Sequence, residues 1–199
     1  ALMRFEEAVV ALERSLSLRA RNIEALCSLG LAFKGLRRLP ESLDAYNRAL
    51  AINPEHAQSR WNRSLSLLLM GDFENGLREY EWRWKSPDTN LRLPASMPAP
   101  WLGAHDIRGL RLFLHSEQGI GDTVQFCRYV PLVKALGATV LLCVPSYLRP
   151  LLSGLEGVDE WVEQGRELPA FDVHCPLLSL PLALGTTRQT IPAEVPYLK

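Results

Sequence analysis

The chain lacks an excess of charge of either sign, and it lacks any long apolar run. Its 199 residues include 22 basic and 22 acidic side chains, so the formal net charge is zero. A dedicated nucleic-acid binder needs a basic surface, and this balance argues against one. No apolar run approaches the roughly 18 residues of a membrane-spanning helix, so we expect no membrane span. Glu6 and Glu7 make the first segment unlike a signal peptide.

Paired cysteines are also missing. The cysteines are scattered without a C-x-x-C spacing, each among apolar neighbours, at Cys27, Cys127, Cys143 and Cys175. This pattern is typical of buried free thiols in a reducing compartment, so we expect a cytoplasmic protein. The neighbouring ligand types Asp172 and His174 have no third partner at a useful spacing, so we predict no metal site. Nothing in the sequence indicates a cofactor.

What the first part of the chain does contain is a repeat with a period of 34 residues, that of the tetratricopeptide repeat. Apolar residues recur at that shift, and so does the small-residue column Ala8, Ser42 and Gly76, which predicts close crossing of two helices. The middle copy resembles the family best, at Leu26, Leu29, Gly30, Phe33, Tyr46, Ala49 and Pro54. We predict about two and a half repeats over residues 1–85, with helices at about 2–18, 23–36, 40–52, 57–70 and 74–85. Because the first unit retains one helix, we expect further repeats before Ala1.

Such an array is expected to bind a protein or a peptide on its inner face. Four polar side chains are candidates for this contact because they lie on the predicted helices or at their starts: Asn22, Asn47, Asn62 and Arg63. The alternative for each of them is ordinary solvated helix surface.

The pattern changes after residue 85. Residues 86–109 contain four prolines and no helical or strand period, so we predict a semi-rigid linker. Short apolar runs and helical patterns then alternate, predicting strands at 110–115, 139–144, 160–162 and 171–175, and helices at 123–136 and 146–155. This order predicts a parallel α/β domain, Rossmann-like and incomplete at residues 110–199, because such domains usually need about 100–150 residues.

A glycine-rich stretch, S-E-Q-G-I-G-D, runs from Ser116 to Asp122 after the first predicted strand. It is not a P-loop, because no Gly-Lys-Ser/Thr follows. It is not a dinucleotide fingerprint, because Val124 occupies the third glycine position, and this disfavours an oxidoreductase. A tight turn with one carboxylate at the start of a helix remains. Asp122 could be an N-cap that forms a capping box with Gln125, a general base at the mouth of the sheet, or both.

These residues resemble a family. Trp101-x-Gly103 followed by L-F-L-H-S-E-Q-G-I-G-D-T-V-Q-F-C-R-Y at residues 112–129 is similar to the start of the catalytic region in bacterial tetratricopeptide-repeat glycosyltransferases. Those proteins resemble the lipopolysaccharide heptosyltransferases in their first sheet domain and share the layout of the protein O-linked N-acetylglucosamine transferases. Residues 168–172, 178–181 and 191–198 also fit the family. The resemblance covers residues 80–199, and its E-Q-G-x-G-D stretch is fairly specific.

The resemblance implies two Rossmann-like halves across a cleft, the first for the acceptor and the second for a nucleotide-sugar donor. It implies that Asp122 takes the proton from an acceptor hydroxyl, and that Gly119 and Gly121 let the backbone approach the donor phosphates. Four further side chains are candidates for substrate or donor binding: His115, Glu117, Gln118 and Arg128. The alternatives are a packing role for His115 and a solvated or ion-paired position for Arg128.

The sequence therefore predicts a fragment of a glycosyltransferase, with repeats that bind a protein. Because the chain ends where the second half would begin, we expect the fragment itself to be inactive even if its parent transfers a sugar. The alternative is a non-catalytic tetratricopeptide scaffold whose α/β segment is a remnant. The intact loop favours the transferase, because a remnant has no reason to keep both glycines and the acid together.

Overall fold

The chain divides into two compact units, Ala1–Leu93 and Pro94–Lys199. The computed structural model describes residues 4–94 and 97–198. The first unit is an array of antiparallel helices, and the second is built on a parallel sheet. This confirms the predicted fold class, a tetratricopeptide-like helical array followed by a parallel α/β part.

The repeat unit consists of helices, and the first three share one hydrophobic core. The helices are α1 (Phe5–Leu18), α2 (Ile23–Gly35), α3 (Leu39–Ile52), α4 (Ala57–Met70) and α5 (Phe73–Tyr80). Leu26, Leu29 and Phe33 of α2 pack with Ala45 and Ala49 of α3. Four of the five predicted helices lie wholly within the described residues. Each of the four begins within one residue of its predicted start, because a 3.6-residue apolar period marks a helix directly.

The small-residue column has the predicted consequence, a close approach between helices. The hydroxyl of the fully buried Ser42 donates to the carbonyl of Gly30 at 2.8 Å and lies 2.9 Å from the Ser66 hydroxyl. A Cβ on Gly76 would lie 2.8 Å from the Leu68 side chain, and one on Gly30 would lie 2.6 Å from the Tyr46 ring. Larger side chains at these positions would force the helices apart.

The last predicted helix, 74–85, is shorter than expected. Helix α5 ends at Tyr80, and a 3₁₀ turn follows at Glu81–Trp84. Arg83 is wholly buried, and its guanidinium lies 4.8 Å from the ring centroids of both Tyr80 and Trp84. Its Nη1 also donates to Glu81 at 2.6 Å. Because residues three apart eclipse in a 3₁₀ turn, the tighter winding places Tyr80 against Arg83.

The second unit is a four-stranded parallel sheet. Its strands are β1 (Arg111–His115), β2 (Thr139–Val144), β3 (Glu160–Glu163) and β4 (Val173–Pro176). They lie in the order β3-β2-β1-β4, so β1 is central and pairs with both β2 and β4. Leu112, Leu114 and Leu142 have no exposed surface, which explains why β1 and β2 are nearly continuous apolar runs.

The helices of this unit are more broken than the sequence predicts. The expected helix 123–136 is α6 (Ile120–Phe126), a 3₁₀ turn and then α7 (Val130–Ala135), with Pro131 in its first turn. The expected helix 146–155 is only a 3₁₀ turn, Ser146–Leu148, because Pro150 and Gly154 interrupt it. A short unpredicted helix, α8, spans Leu180–Ala183.

Residues 97–107, within the predicted linker, pack on the sheet of the second unit. Trp101 and Ile107 are 4% and 1% exposed. The Trp101 backbone N–H donates to the His174 carbonyl at 2.7 Å, on the outer edge of β4. Gly103 has a φ of +87°, and a Cβ there would lie 2.2 Å from the Ala183 carbonyl oxygen. The Trp-x-Gly pattern therefore combines a buried anchor with a close backbone approach that only glycine permits.

Candidate functional site

The glycine-rich loop lies at the carboxyl end of the central strand. It begins directly after β1, and the Ser116 N–H donates to the Cys143 carbonyl at 3.0 Å, which joins it to the end of β2. The carboxyl ends of parallel strands form the edge where open α/β sheets gather ligands. The loop, α6 and the turn after β4 are thus the elements available to build a site here.

Asp122 is not the helix N-cap that the sequence suggested. The N-cap of α6 is Gly119, and Asp122 is the third residue of the helix. Its Oδ2 lies 3.4 Å from the position that a Cβ on Gly119 would take. The capping-box interpretation with Gln125 is wrong because the helix begins one turn earlier than predicted. Thr123, which is buried, instead closes that turn by donating its hydroxyl to the Gly119 carbonyl at 3.1 Å.

The Asp122 side chain is partly exposed. Over residues 4–94 and 97–198, no hydrogen bond or ion pair joins it to another side chain or to the backbone. Its carboxylate is therefore held near the loop backbone by its place in the helix, and solvent or a solute can reach it.

Glu117 connects the loop to the turn after β4. Its Oε1 accepts a hydrogen bond from the Leu178 N–H at 3.3 Å, within the 3₁₀ turn Leu177–Ser179. Gln118 lies beside it and is partly exposed. The carboxylate of Glu117 thus shapes the mouth of the sheet, and a role in substrate binding stays a prediction.

The two loop glycines leave the surface open. Gly119 has an ordinary extended backbone, with φ −65° and ψ 168°, and a Cβ on Gly121 would meet nothing within 4 Å. Both residues are exposed. Neither needs a conformation reserved for glycine, so their lack of side chains serves access rather than backbone geometry.

Arg128 makes contacts other than those predicted. Its Nη1 donates to the Pro192 carbonyl at 2.9 Å, and its guanidinium lies 4.4 Å from the ring centroid of Tyr197. The Tyr197 hydroxyl in turn donates to the Val124 carbonyl of α6 at 3.0 Å. Arg128 therefore fastens residues 192–197 onto α6, and it would have to leave these partners to bind a donor.

His115 contacts His174, which the sequence suggested only as a possible metal ligand. Its Nε2 lies 3.2 Å from Nδ1 of His174, and their ring centroids are 5.4 Å apart. His174 is fully buried, and its Nε2 lies 2.8 Å from the Pro98 carbonyl oxygen. Burial lowers the pKa of His174, although the Pro98 contact partly opposes this. The alternation of β1 and β4 could have placed both on one face, but their register could not be known.

The candidate residues of the repeat unit have structural partners. Asn22 caps α2, accepting from the Ala25 N–H at 3.1 Å. Asn62 is 6% exposed and points its amide at Cys27 Sγ, 3.6 Å away, so it offers little surface to a ligand. Arg63 contacts Asn47 Oδ1 at 2.6 Å and pairs with Glu79. The structure thus brings Asn47 and Arg63 together.

Two other classes of site are absent from residues 4–94 and 97–198. These residues contain no group of three or more His, Cys, Asp or Glu side chains placed to hold a metal ion. None of their helices has both the length and the apolar character needed to cross a bilayer.

Comparison with known proteins establishes the repeat. Residues 23–56 match the tetratricopeptide repeat family, and this segment implies a protein partner. Protein FlbA of Caulobacter vibrioides is 26% identical over 190 residues, covering 75% of this chain and 32% of that protein. The chain thus spans about a third of the length of this curated relative.

Solved structures overlap the chain to a limited extent. Two structures of MamA, one described as from AMB-1, are 24% and 26% identical, with TM-scores of 0.38 and 0.37. Each match covers 39% of this chain, and the matches cover 46% and 43% of the two MamA chains. A mutant O-GlcNAc transferase of Thermobaculum terrenum is 15% identical and has a TM-score of 0.37, covering 84% of this chain and 42% of its own. The glycosyltransferase resemblance of the sequence remains a prediction.

Proposed function

We propose that this chain is part of a glycosyltransferase that moves a sugar from a nucleotide-sugar donor to an acceptor hydroxyl. The observation that carries the proposal is the position of Asp122. Its carboxylate lies on the helix that follows the central strand, partly exposed, with no side-chain or backbone partner among the described residues. A general base must reach the proton that it removes, and a sealed or ion-paired carboxylate could not.

In this reaction Asp122 accepts the proton of the acceptor hydroxyl as its oxygen attacks the anomeric carbon. A carbon–oxygen bond to the acceptor forms, and the bond to the nucleoside diphosphate breaks. Gly119 and Gly121 keep the loop surface open to the reactants. The donor would bind mostly to the second half that the sequence resemblance implies, within the whole protein.

The repeats would bring a protein acceptor or a protein partner to the sheet unit. Asn47 and Arg63 are the predicted contact residues that share a surface. We also infer a cytoplasmic location, because all four cysteines are free and buried. The second candidate function, a non-catalytic scaffold, is favoured by the repeat match alone.

The test uses the whole protein that contains this chain, incubated with UDP-, GDP- and ADP-linked sugars. The measurement is the release of nucleoside diphosphate. We expect release from at least one donor, and a fall of about 100-fold or more in Asp122→Asn, the usual effect of removing a general base. Asp106→Asn is the matched control, because Asp106 is exposed and only accepts a turn hydrogen bond from the Arg108 N–H at 2.9 Å.

Two results would contradict the proposal. Unchanged release in Asp122→Asn would remove Asp122 as the base. No release and no calorimetric binding of any nucleotide by the whole protein would leave the scaffold as the better explanation.

A further inference from the structure

The two histidines of the sheet unit lie on one face of the sheet. Phe113 of β1 is in register with His174 of β4, and His115 is in register with Pro176. Because side chains alternate along a strand, Phe113, His115 and His174 project to the same side. His115 and His174 are therefore diagonal neighbours, with the 3.2 Å contact between Nε2 and Nδ1 already described.

The direction of the hydrogen bond between His115 and His174 follows from the second contact of the His174 ring, with the Pro98 carbonyl. The Pro98 carbonyl oxygen can only accept, so Nε2 of His174, at 2.8 Å, must carry a proton. His174 has no exposed surface, which disfavours a charged ring and lowers its pKa, so at any pH above the usual imidazole value the ring holds one proton only. Its Nδ1 is then an acceptor, and Nε2 of His115 must be the donor.

The contacts of the His174 imidazole oppose a flip of that ring. The His174 carbonyl holds the Trp101 N–H at 2.7 Å, so the backbone is fastened next to the residue. The Phe171 ring meets the imidazole edge-on, with centroids 6.4 Å apart, and the His115 ring stacks on it. Reversal of the ring would break the contacts with Pro98 and His115 together.

We propose that His174 is a positioning residue that fixes a proton on Nε2 of His115 and thereby sets the orientation of that ring. His115 ends β1 and directly precedes the glycine-rich loop. Within the proposed function, on which this last step rests, the fixed His115 ring forms part of the mouth of the sheet beside the loop that carries Asp122.

The experiment is nitrogen-15 NMR of the full chain, without any nucleotide, at a pH near 8 where ordinary imidazoles are neutral. The chain has four histidines, so their ring signals can be assigned. We expect a scalar coupling across the hydrogen bond between Nε2 of His115 and Nδ1 of His174, with the proton on His115. The exposed His105 serves as the internal comparison and should show no protected ring proton.

Two variants separate positioning from a purely structural role. Asn at position 174 keeps an oxygen near the place of Nδ1, so His174→Asn should retain a slowly exchanging His115 ring proton while losing the nitrogen–nitrogen coupling. His174→Leu offers no acceptor and should lose both. If His174→Leu does not fold, the wild-type coupling and the Asn variant decide the question.

An Nε2 of His115 without a proton, a protonated Nδ1 on His174, or absence of the coupling in the folded wild type would each overturn the proposal. These measurements need no donor or acceptor. A failure of the nucleotide-release experiment would therefore leave the His115 proton position unaffected, and the reverse also holds.

Discussion

The two units satisfy their buried and half-buried polar groups over different sequence distances. In the repeat unit, the buried Ser42 hydroxyl contacts the Ser66 hydroxyl across 24 residues, and the Asn62 amide points at Cys27 Sγ across 35 residues. In the sheet unit, Glu117 accepts from the Leu178 N–H across 61 residues, and His115 meets His174 across 59. Polar partners in the repeat unit therefore lie in the same or a neighbouring repeat, whereas the mouth of the sheet exists only after more distant strands have paired.

The largest expected effect comes from a substitution at Gly103, where two backbone segments of the sheet unit approach closely. In Gly103→Ala the new Cβ would lie 2.2 Å from the Ala183 carbonyl oxygen, at a φ of +87° that disfavours any side chain. We expect a loss of about 3 kcal/mol from steric overlap and backbone strain together. Urea unfolding followed by hydrogen exchange of peptides from β1 and β4 measures this loss within the sheet unit.

Gly30→Ala in the repeat unit is the matched variant. Its Cβ would meet the Tyr46 side chain at 2.6 Å, but alanine favours the helix and the ring is part of a side chain that can shift. We expect a loss of about 1 kcal/mol. A loss in Gly30→Ala equal to that in Gly103→Ala would show that the repeat core is as rigid as the sheet edge.

A fall in pH should affect the stability of the two units differently, because only the sheet unit contains a completely buried histidine, His174. Burial lowers the pKa of His174 below its usual value of 6.5, so between the two pKa values the unfolded chain binds a proton that the folded chain does not. Stability of the sheet unit should thus fall as the pH drops below 6.5, by at most about 1.4 kcal/mol per pH unit for this group, and level off below the folded pKa.

The pH effect is measured as the urea midpoint of β1 peptides between pH 7.5 and 5.5. His174→Asn cannot titrate and should show a flatter profile than the wild type. Asp159 does not contribute to the change in stability over this pH range, because its carboxyl group titrates at lower pH. Its desolvation is outweighed by the Lys134 and Val140 hydrogen bonds, which lower its pKa below 3.8. An equal slope in both proteins would contradict the assignment to His174.

The smallest expected effects compare two aspartates at helix starts. Asp72→Ala removes a side-chain cap, with Asp72 Oδ1 3.1 Å from the Asn75 N–H, and should cost about 1 kcal/mol. Asp122→Ala removes no hydrogen bond and should cost about 0.3 kcal/mol, the contribution of an acid to the helix dipole. Thermal unfolding curves of both variants check the difference. An Asp122→Ala loss as large as that of Asp72→Ala would restore a capping role.

Sequence periodicity predicted the repeat helices well because each helix buries one apolar stripe, and that stripe recurs every three to four residues along the chain. The sheet strands were also found, since buried parallel strands are continuous apolar runs. Sequence reasoning placed the start of α6 wrongly and missed the breaks at Pro131 and Pro150, because a short helix carries too few residues for a clear period. A donor-binding role for Arg128 stays a prediction, and its contacts with Pro192 and Tyr197, more than 60 residues away in the chain, had no signal in the sequence.

The order of the residues by itself determined the repeat architecture, the parallel α/β pattern and the chemical types in the glycine-rich loop, since each depends on neighbours along the chain. Only the tertiary structure decided that Glu117 joins two loops, that Arg128 fastens the end of the chain, and that His115 faces His174. Those contacts depend on strand register and on the path of residues 97–101 across the sheet. Both are set by packing between distant segments, which no local pattern encodes.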